Sequence, residues 1–596
     1  MHLADWAVFG VYCTAALGIG VYFTRRASRS AEDFFVAGRK LPWWVIGMSD
    51  VATYSGGGAA WIMLVFMGGF IELWFVWWIC WAIWMPIVAV IWAKMWRRLG
   101  VVTTGELIEV RYGGRPAAVF RGVFAVYAYL AWATVVLGYG ASWLAQTLSP
   151  ILGWSEPQIL LVFGGIALIY TLLSGLFAVA YSDVVQFGML FAGAMILCVL
   201  AVDAAGGMEA VRMGIVEVRG ADFLKLLPPG GRADPVLGNH PIDMVTLLVL
   251  VLQGLFFAGS PFAGEGFTAQ RTLAAKDERH AVGGQMLNCV LSLVVRMIPL
   301  VPLGMVAVVM YPKDFEAPAQ LWALMAKEYA PVGVLGLLFV GAIAGYMSSV
   351  DSVINWGSSF LLNDLYRRHI RPKAPAKEYV LFSRCVSVAM LGMAFLFSYL
   401  FVKGLGDWVV FINSVVIIFS LPLAWLKWFW WRLNIYGEAV GILVGFPLAY
   451  VIWFPLDFKD STQHPFWHPY LLLFVSGWIL ILLVTLLTPP ERMETLKRFY
   501  TKVRPMGFWG PVRKEVDSAI VSEAKREAKS DLQAAFWGVV FCLSMLIAFV
   551  AICAGRYPEA ALSGLVMVAG GYLYLTTWLK AIARQKAEGF VVPDEA

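Results

Sequence analysis

Apolar residues run through this chain in stretches of about twenty, without the strict alternation of a half-buried strand, and short polar or Gly/Pro-rich segments separate them. About 20 apolar residues is the length at which a helix spans a bilayer, and a lone span inside lipid must satisfy its backbone internally. The pattern predicts fifteen helices, at about 5–24, 42–70, 72–96, 117–147, 157–178, 180–203, 242–262, 282–310, 331–364, 378–402, 407–431, 436–455, 468–488, 533–555 and 559–583. The expected fold class is an all-α polytopic membrane protein of about 15 transmembrane helices.

Composition narrows the function classes. The 596 residues are 60% hydrophobic and 14% charged, against about 45–50% and about 25% for soluble domains. A soluble enzyme, a disordered chain and a nucleic-acid binder are all excluded, and the bilayer is the expected surrounding. The seven cysteines lie in apolar runs without a CxxC pair, and the six histidines fall at the terminus or in loops. Neither a disulfide framework, a zinc centre nor a catalytic constellation is expected, so the chain is not read as an enzyme. The first run lacks a basic flank and a cleavage site, which marks it as a retained span.

Basic residues set the orientation. With the amino terminus outside, 33 of the 45 Lys and Arg residues fall in inner segments, the pattern of a cell-membrane protein whose carboxyl terminus is cytoplasmic. Of the remainder, Arg121, Arg296 and Arg384 lie in or at the edge of spans. The chain divides into 1–41 (first helix and inner loop), 42–203 (five helices), 204–241 (outer loop), 242–426 (five helices), 427–488 (additional helices), 489–532 (inner polar insertion) and 533–596 (two helices and tail). Because five is odd, the two five-helix groups run in opposite directions, a transporter plan. The insertion reads as a solvated helical linker near anionic lipid.

The first helix of each group carries a breaker: Ala52-Thr-Tyr-Ser-Gly-Gly-Gly58 in one and Ala258-Gly-Ser-Pro-Phe-Ala-Gly264 in the other. Gly costs about 1 kcal/mol and Pro about 3 relative to Ala inside a helix, so both stretches favour unwinding, which frees carbonyls for a cation. The ninth span places Ser348, Ser349, Asp351, Ser352 and Asn355 within two turns, and Ser348, Ser352 and Asn355 share a face. Hydroxyls with freed carbonyls form the oxygen set a hard monovalent cation takes. Asp183 and Asp50 lie near inner helix ends, where a carboxylate either marks an ion path or caps a helix. Arg296, mid-span, either pairs with a carboxylate, contacts an anionic solute or snorkels. In the tryptophan-rich third span, Trp74, Trp77 and Trp78 fit an interfacial belt, whereas Trp81 and Trp84 are deep enough to pack the bundle or line a pocket.

Four segments together resemble the sodium:solute symporter family, which includes sodium/sugar, sodium/proline and sialic acid symporters. They are Ala-Glu-Asp-Phe-Phe-Val-Ala-Gly-Arg-Lys at 31–40, Leu173-Ser-Gly-Leu with Tyr181-Ser-Asp-Val-Val-Gln186, Gln270-Arg-Thr-Leu-Ala-Ala-Lys276, and Met347-Ser-Ser-Val-Asp-Ser running to Asn363-Asp-Leu-Tyr366. The resemblance spans about residues 5–455. It implies a five-plus-five inverted-repeat (LeuT-like) core behind an extra amino-terminal helix, working as a monomer that imports a small organic solute with Na+. By position it implies a sodium site of the carbonyls of Ala52, Ser55 and Gly345 and the hydroxyls of Ser348 and Ser349, with Asp183 on the exit path. Ser55 with Gly58 is an alternative carbonyl pair. Candidate solute contacts are Tyr54, Gly57, Ser260, Phe262, Trp81 and Arg296. The Asn/Gln set of sugar carriers is missing from the breaks, so the solute stays open. A proton-coupled carrier and a transporter-like sensor are the rival readings.

Overall fold

The computed structural model describes residues 1–27, 35–73, 78–173, 175–225, 233–234, 240–241, 244–259, 266–401, 423–453, 455–458, 464–465 and 467–587. Among these, ten helices are long and apolar enough to cross a membrane, and four shorter apolar helices include Leu3–Ala16, Ala60–Phe70 and Met244–Phe257. Every predicted span except 407–431 contains described helix, with 42–70 holding two; of 407–431 only the end, from Leu423, is described. The one strand pairing among the described residues joins Ala233–Asp234 to His240–Pro241, between the two five-helix groups.

Small residues set the closest packing. The helix Trp43–Thr53 lies against Glu278–Val290, where a Cβ on Gly47 would stand 2.8 Å from the Gly284 carbonyl oxygen and one on Gly284 would stand 2.7 Å from Ile46 Cβ. Without a hydrophobic drive between helices in lipid, such contact is what holds them together. The helix Val334–Ser359 is the axis of the bundle: from Leu338 to Phe360 only Ala342 and Ser349 are less than fully buried.

Three expectations change. The single span at 42–70 is two helices, Trp43–Thr53 and Gly58–Leu73, with a 3-10 turn at Tyr54–Gly57 between them, as three glycines in a row favour. Trp78 is no belt residue: it is buried and packs edge-on to Phe549, while Trp74 and Trp77 lie outside the described residues. The insertion 489–532 is packed rather than solvated. Its helix Met493–Val503 buries Leu496, Phe499, Tyr500 and Val503, an i, i+3, i+4, i+7 stripe. Trp509 stacks on Phe499, and both rings flank the guanidinium of Arg111. The following helix, Ser518–Cys553, begins in the insertion and continues as a span, burying Glu523 and Glu527.

Candidate functional site

The first helix break meets the serine-rich helix at Thr53. The Thr53 hydroxyl turns back to the Ser49 carbonyl, 3.1 Å away, and lies 2.9 Å from Ser352 Oγ and 3.4 Å from Ser348 Oγ. Ser349 donates to the Thr53 carbonyl at 2.7 Å and to Gly345 O at 3.2 Å. The Tyr54 amide closes on Ala52 O, and the Ser55 hydroxyl donates to Val51 O at 2.6 Å. The break, Gly345 and the serine pair thus lie together as one oxygen-rich cluster. Gly57 ends the 3-10 turn; Ser260 and Phe262 lie outside the described residues.

Towards the basic loops the cluster is closed by Arg271, whose position in the sequence carries no signal beyond its motif. It follows the second break on the helix Phe267–Leu273 and has no exposed side-chain surface. Nε bonds Ser49 Oγ at 2.6 Å; Nη2 bonds Thr53 Oγ1 and Ser352 Oγ, each at 2.6 Å, and Asp183 Oδ2 at 3.2 Å; Nη1 stands 3.6 Å from Asp50 Oδ1. Asp183 also accepts hydrogen bonds from Ser49 and Ser348, and Asp50 accepts from Gln285 at 2.5 Å. Neither carboxylate caps a helix end. Both are buried among helices from both five-helix groups. Asn355, on the same face as Ser348 and Ser352, accepts from Gln270 at 2.7 Å, and Asp351 accepts from Thr171.

On the far side of the break lies Arg296. The helix Glu278–Val290 widens into a π turn at Leu291–Val295 and resumes at Met297. Such a turn shifts the helical register, often at functional positions. Arg296 Nη1 donates to the Tyr54 carbonyl at the break, 2.8 Å away, and its guanidinium lies 5.1 Å from the Trp61 ring and 5.4 Å from Trp81. Of the three expected roles, pairing with a protein carboxylate is overturned among the described residues, and so is snorkelling, since the side chain is buried mid-bundle. Trp81 packs edge-on to Tyr54 and Trp84. Arg296 also lines a cavity of about 50 Å³ with Ser55, Trp61, Thr147, Trp322 and Gly341. Ligand pockets commonly measure about 300 Å³ or more, so this one holds a solute only after widening.

Comparison with known proteins places these features. The model of the sodium:solute symporter family matches residues 34–445. A sodium/mannose cotransporter of Bos taurus is 25% identical over 486 residues, covering 75% of this chain and 78% of the relative. A sodium/glucose cotransporter of Vibrio parahaemolyticus is 26% identical over 499 residues, covering 78% and 88%. Among solved structures, a Na+-coupled sialic acid symporter in a substrate-bound outward-open state superposes with a TM-score of 0.67 at 20% identity, covering 82% of this chain and 99% of that one. That likeness shows the fold: the five-plus-five inverted-repeat, LeuT-like plan.

Proposed function

Because this chain belongs to the sodium:solute symporter family, we propose that it is a sodium-coupled secondary active symporter that imports a small organic solute by alternating access. The repeats are 42–203 and 242–426, with 1–41, 204–241, 427–488, 489–532 and 533–596 as additions around them. The amino terminus lies outside and the carboxyl terminus in the cytoplasm of a cell membrane, as the basic loops favour. Every residue assigned to the site comes from the same chain, which supports a working monomer.

Sodium, as co-transported cargo, is assigned to the carbonyls of Ala52, Ser55 and Gly345 and the hydroxyls of Ser348 and Ser349. The observation that carries this is the 2.7 Å hydrogen bond from Ser349 to the Thr53 carbonyl, which docks the serine pair on the broken helix. Hydroxyl and carbonyl oxygens suit a hard cation and neither gains nor loses a proton near neutral pH, which favours sodium over proton coupling. Asp183 stands on the inward exit, held shut by Arg271. Sodium joins a helix of the first repeat to one of the second, so it stabilises the arrangement that holds the outer cavity, and solute in turn tightens sodium by the same factor. Tyr54, Gly57, Trp81 and Arg296 surround the solute path at the first break, and Ser260 and Phe262 are assigned to it from the second.

The test needs no solute. Sodium chloride raises the Tm of the purified chain above that in choline chloride at equal ionic strength, and the double variant Ser348→Ala/Ser349→Ala loses this rise. An equal rise in the variant sinks the site.

A further inference from the structure

Most buried cations of this protein meet a carboxylate. Arg271 reaches Asp183 and Asp50, Arg121 reaches Asp364 at 2.5 Å, Lys94 reaches Asp531 at 2.5 Å and Lys427 reaches Glu438 at 3.0 Å. Arg296 does not. It is 2% exposed, Nε is spent on the Ser292 carbonyl at 2.9 Å and one N–H of Nη1 on the Tyr54 carbonyl, and Nη2 has no hydrogen-bond partner. No carboxylate among the described residues stands near enough to balance it. Two tryptophan faces, Trp61 and Trp81, hold the guanidinium in place and supply only part of the missing countercharge. A fixed cation deep in a membrane protein is costly to keep unless it is used.

We propose that the solute carries a carboxylate and that Arg296 is its anchor. This rests on the symporter reading. Arg296 lines the cavity and its buried Nη2 is unbonded among the described residues, so that once the cavity widens the guanidinium can match a carboxylate through two parallel hydrogen bonds. Trp61 and Trp322 on the same wall suit an apolar or ring-shaped body, and Thr147 a single polar group. The half-helix Gly58–Leu73 starts directly after the break whose carbonyl Arg296 holds, and its amino end adds positive potential on the same side. One sodium and one carboxylate then cross as a neutral pair. A neutral sugar, the solute named for the Bos taurus and Vibrio parahaemolyticus relatives, leaves the guanidinium unbalanced, so this chain differs from them in solute class.

The experiment is a thermal-shift titration of the purified full chain in sodium chloride with matched pairs: D-gluconate against D-glucose, D-galacturonate against D-galactose, and L-lactate against propane-1,2-diol. The expected result is that at least one carboxylate raises Tm while its neutral partner does not, that Arg296→Gln weakens this apparent affinity at least tenfold, and that Arg296→Lys retains part of it. The rise in Tm on sodium alone reports that each variant is folded. The proposal is overturned if neutral partners bind as well as the acids, if Arg296→Gln leaves acid binding unchanged, or if none of the acids binds. In each of those cases a surviving sodium-only rise leaves the symporter reading standing; its loss in the wild type is the separate failure of that reading.

Discussion

Arg271 Nη2 lies 3.2 Å from Asp183 Oδ2, and neither side chain is exposed. This contact joins the second repeat to the sixth helix, and through Ser49, Thr53 and Ser352 it also ties in the broken helix and the serine helix. Breaking a buried pair by removing one partner costs about 3–5 kcal/mol, because the other charge is left behind. Arg271→Gln is therefore expected to lower Tm strongly. Asp183→Asn added to it restores part of the loss, with a coupling of about 1–3 kcal/mol in a double-mutant cycle. Additive losses would show that the two groups do not act together.

Thr53 links the sodium-site serines to Arg271 without belonging to the assigned oxygen set. Losing one such hydrogen bond costs about 1 kcal/mol, roughly fivefold in an equilibrium constant. Thr53→Ala should weaken the half-saturating sodium concentration for thermal stabilisation by about that factor, and Thr53→Ser should restore it. A wild-type sodium response in Thr53→Ala would remove the hydroxyl from the argument.

The close approach of Gly47 and Gly284 leaves no room for a methyl group. Overpacking of this kind costs about 1–3 kcal/mol. Gly284→Ala is expected to lower Tm by several degrees, whereas Gly188→Ala, where a Cβ meets nothing within 4 Å, leaves Tm unchanged or raises it. Equal effects at the two positions would refute the packing account.

Glu527 ties the insertion 489–532 to the core. It receives Arg98 at 2.8 Å and Arg504 at 3.2 Å, while Arg98 also bonds Glu278 at 2.9 Å. Glu527→Ala leaves Arg98 paired with Glu278 but takes from Arg504 both of its bonds to the Glu527 carboxylate, so the segment 493–517 should loosen while the span beyond it holds. Faster cleavage of that segment by trypsin, with the core intact, is the expected readout.

Glu109, on the short helix Glu106–Tyr112 outside the spans, loses from partial burial but gains more from Arg368 at 2.9 Å and Arg121 at 2.6 Å, and its carboxyl is held below the usual glutamate range. A depressed folded-state value means that the stabilisation is present above the unfolded pKa, about 4.3, and is lost as pH falls through the folded value. The Tm advantage of wild type over Glu109→Gln should therefore shrink on acidification below about pH 4.3, as read by thermal unfolding across that range.

Features that short-range chemistry carries were legible in the chain alone. Runs of apolar residues of bilayer length marked the helices, Gly56-Gly-Gly58 marked the break now seen as the Tyr54–Gly57 turn, and Ser348 and Ser349 stood out as polar residues in an apolar run. Partnership across the bundle was not legible. Arg271 acquires its role from Ser49, Asp183 and Ser352, residues 222, 88 and 81 positions away in the chain, and Arg296 stays open among three roles in the sequence, whereas its neighbours among the described residues include two tryptophans and no carboxylate. Trp78 and the 493–513 segment depart from expectation for the same reason: interface position and net polarity are local properties, whereas burial depends on which distant surface arrives to cover a face. A charge or an aromatic ring in a membrane protein takes its meaning from the groups that compensate it, and the tertiary structure alone brings those groups within reach.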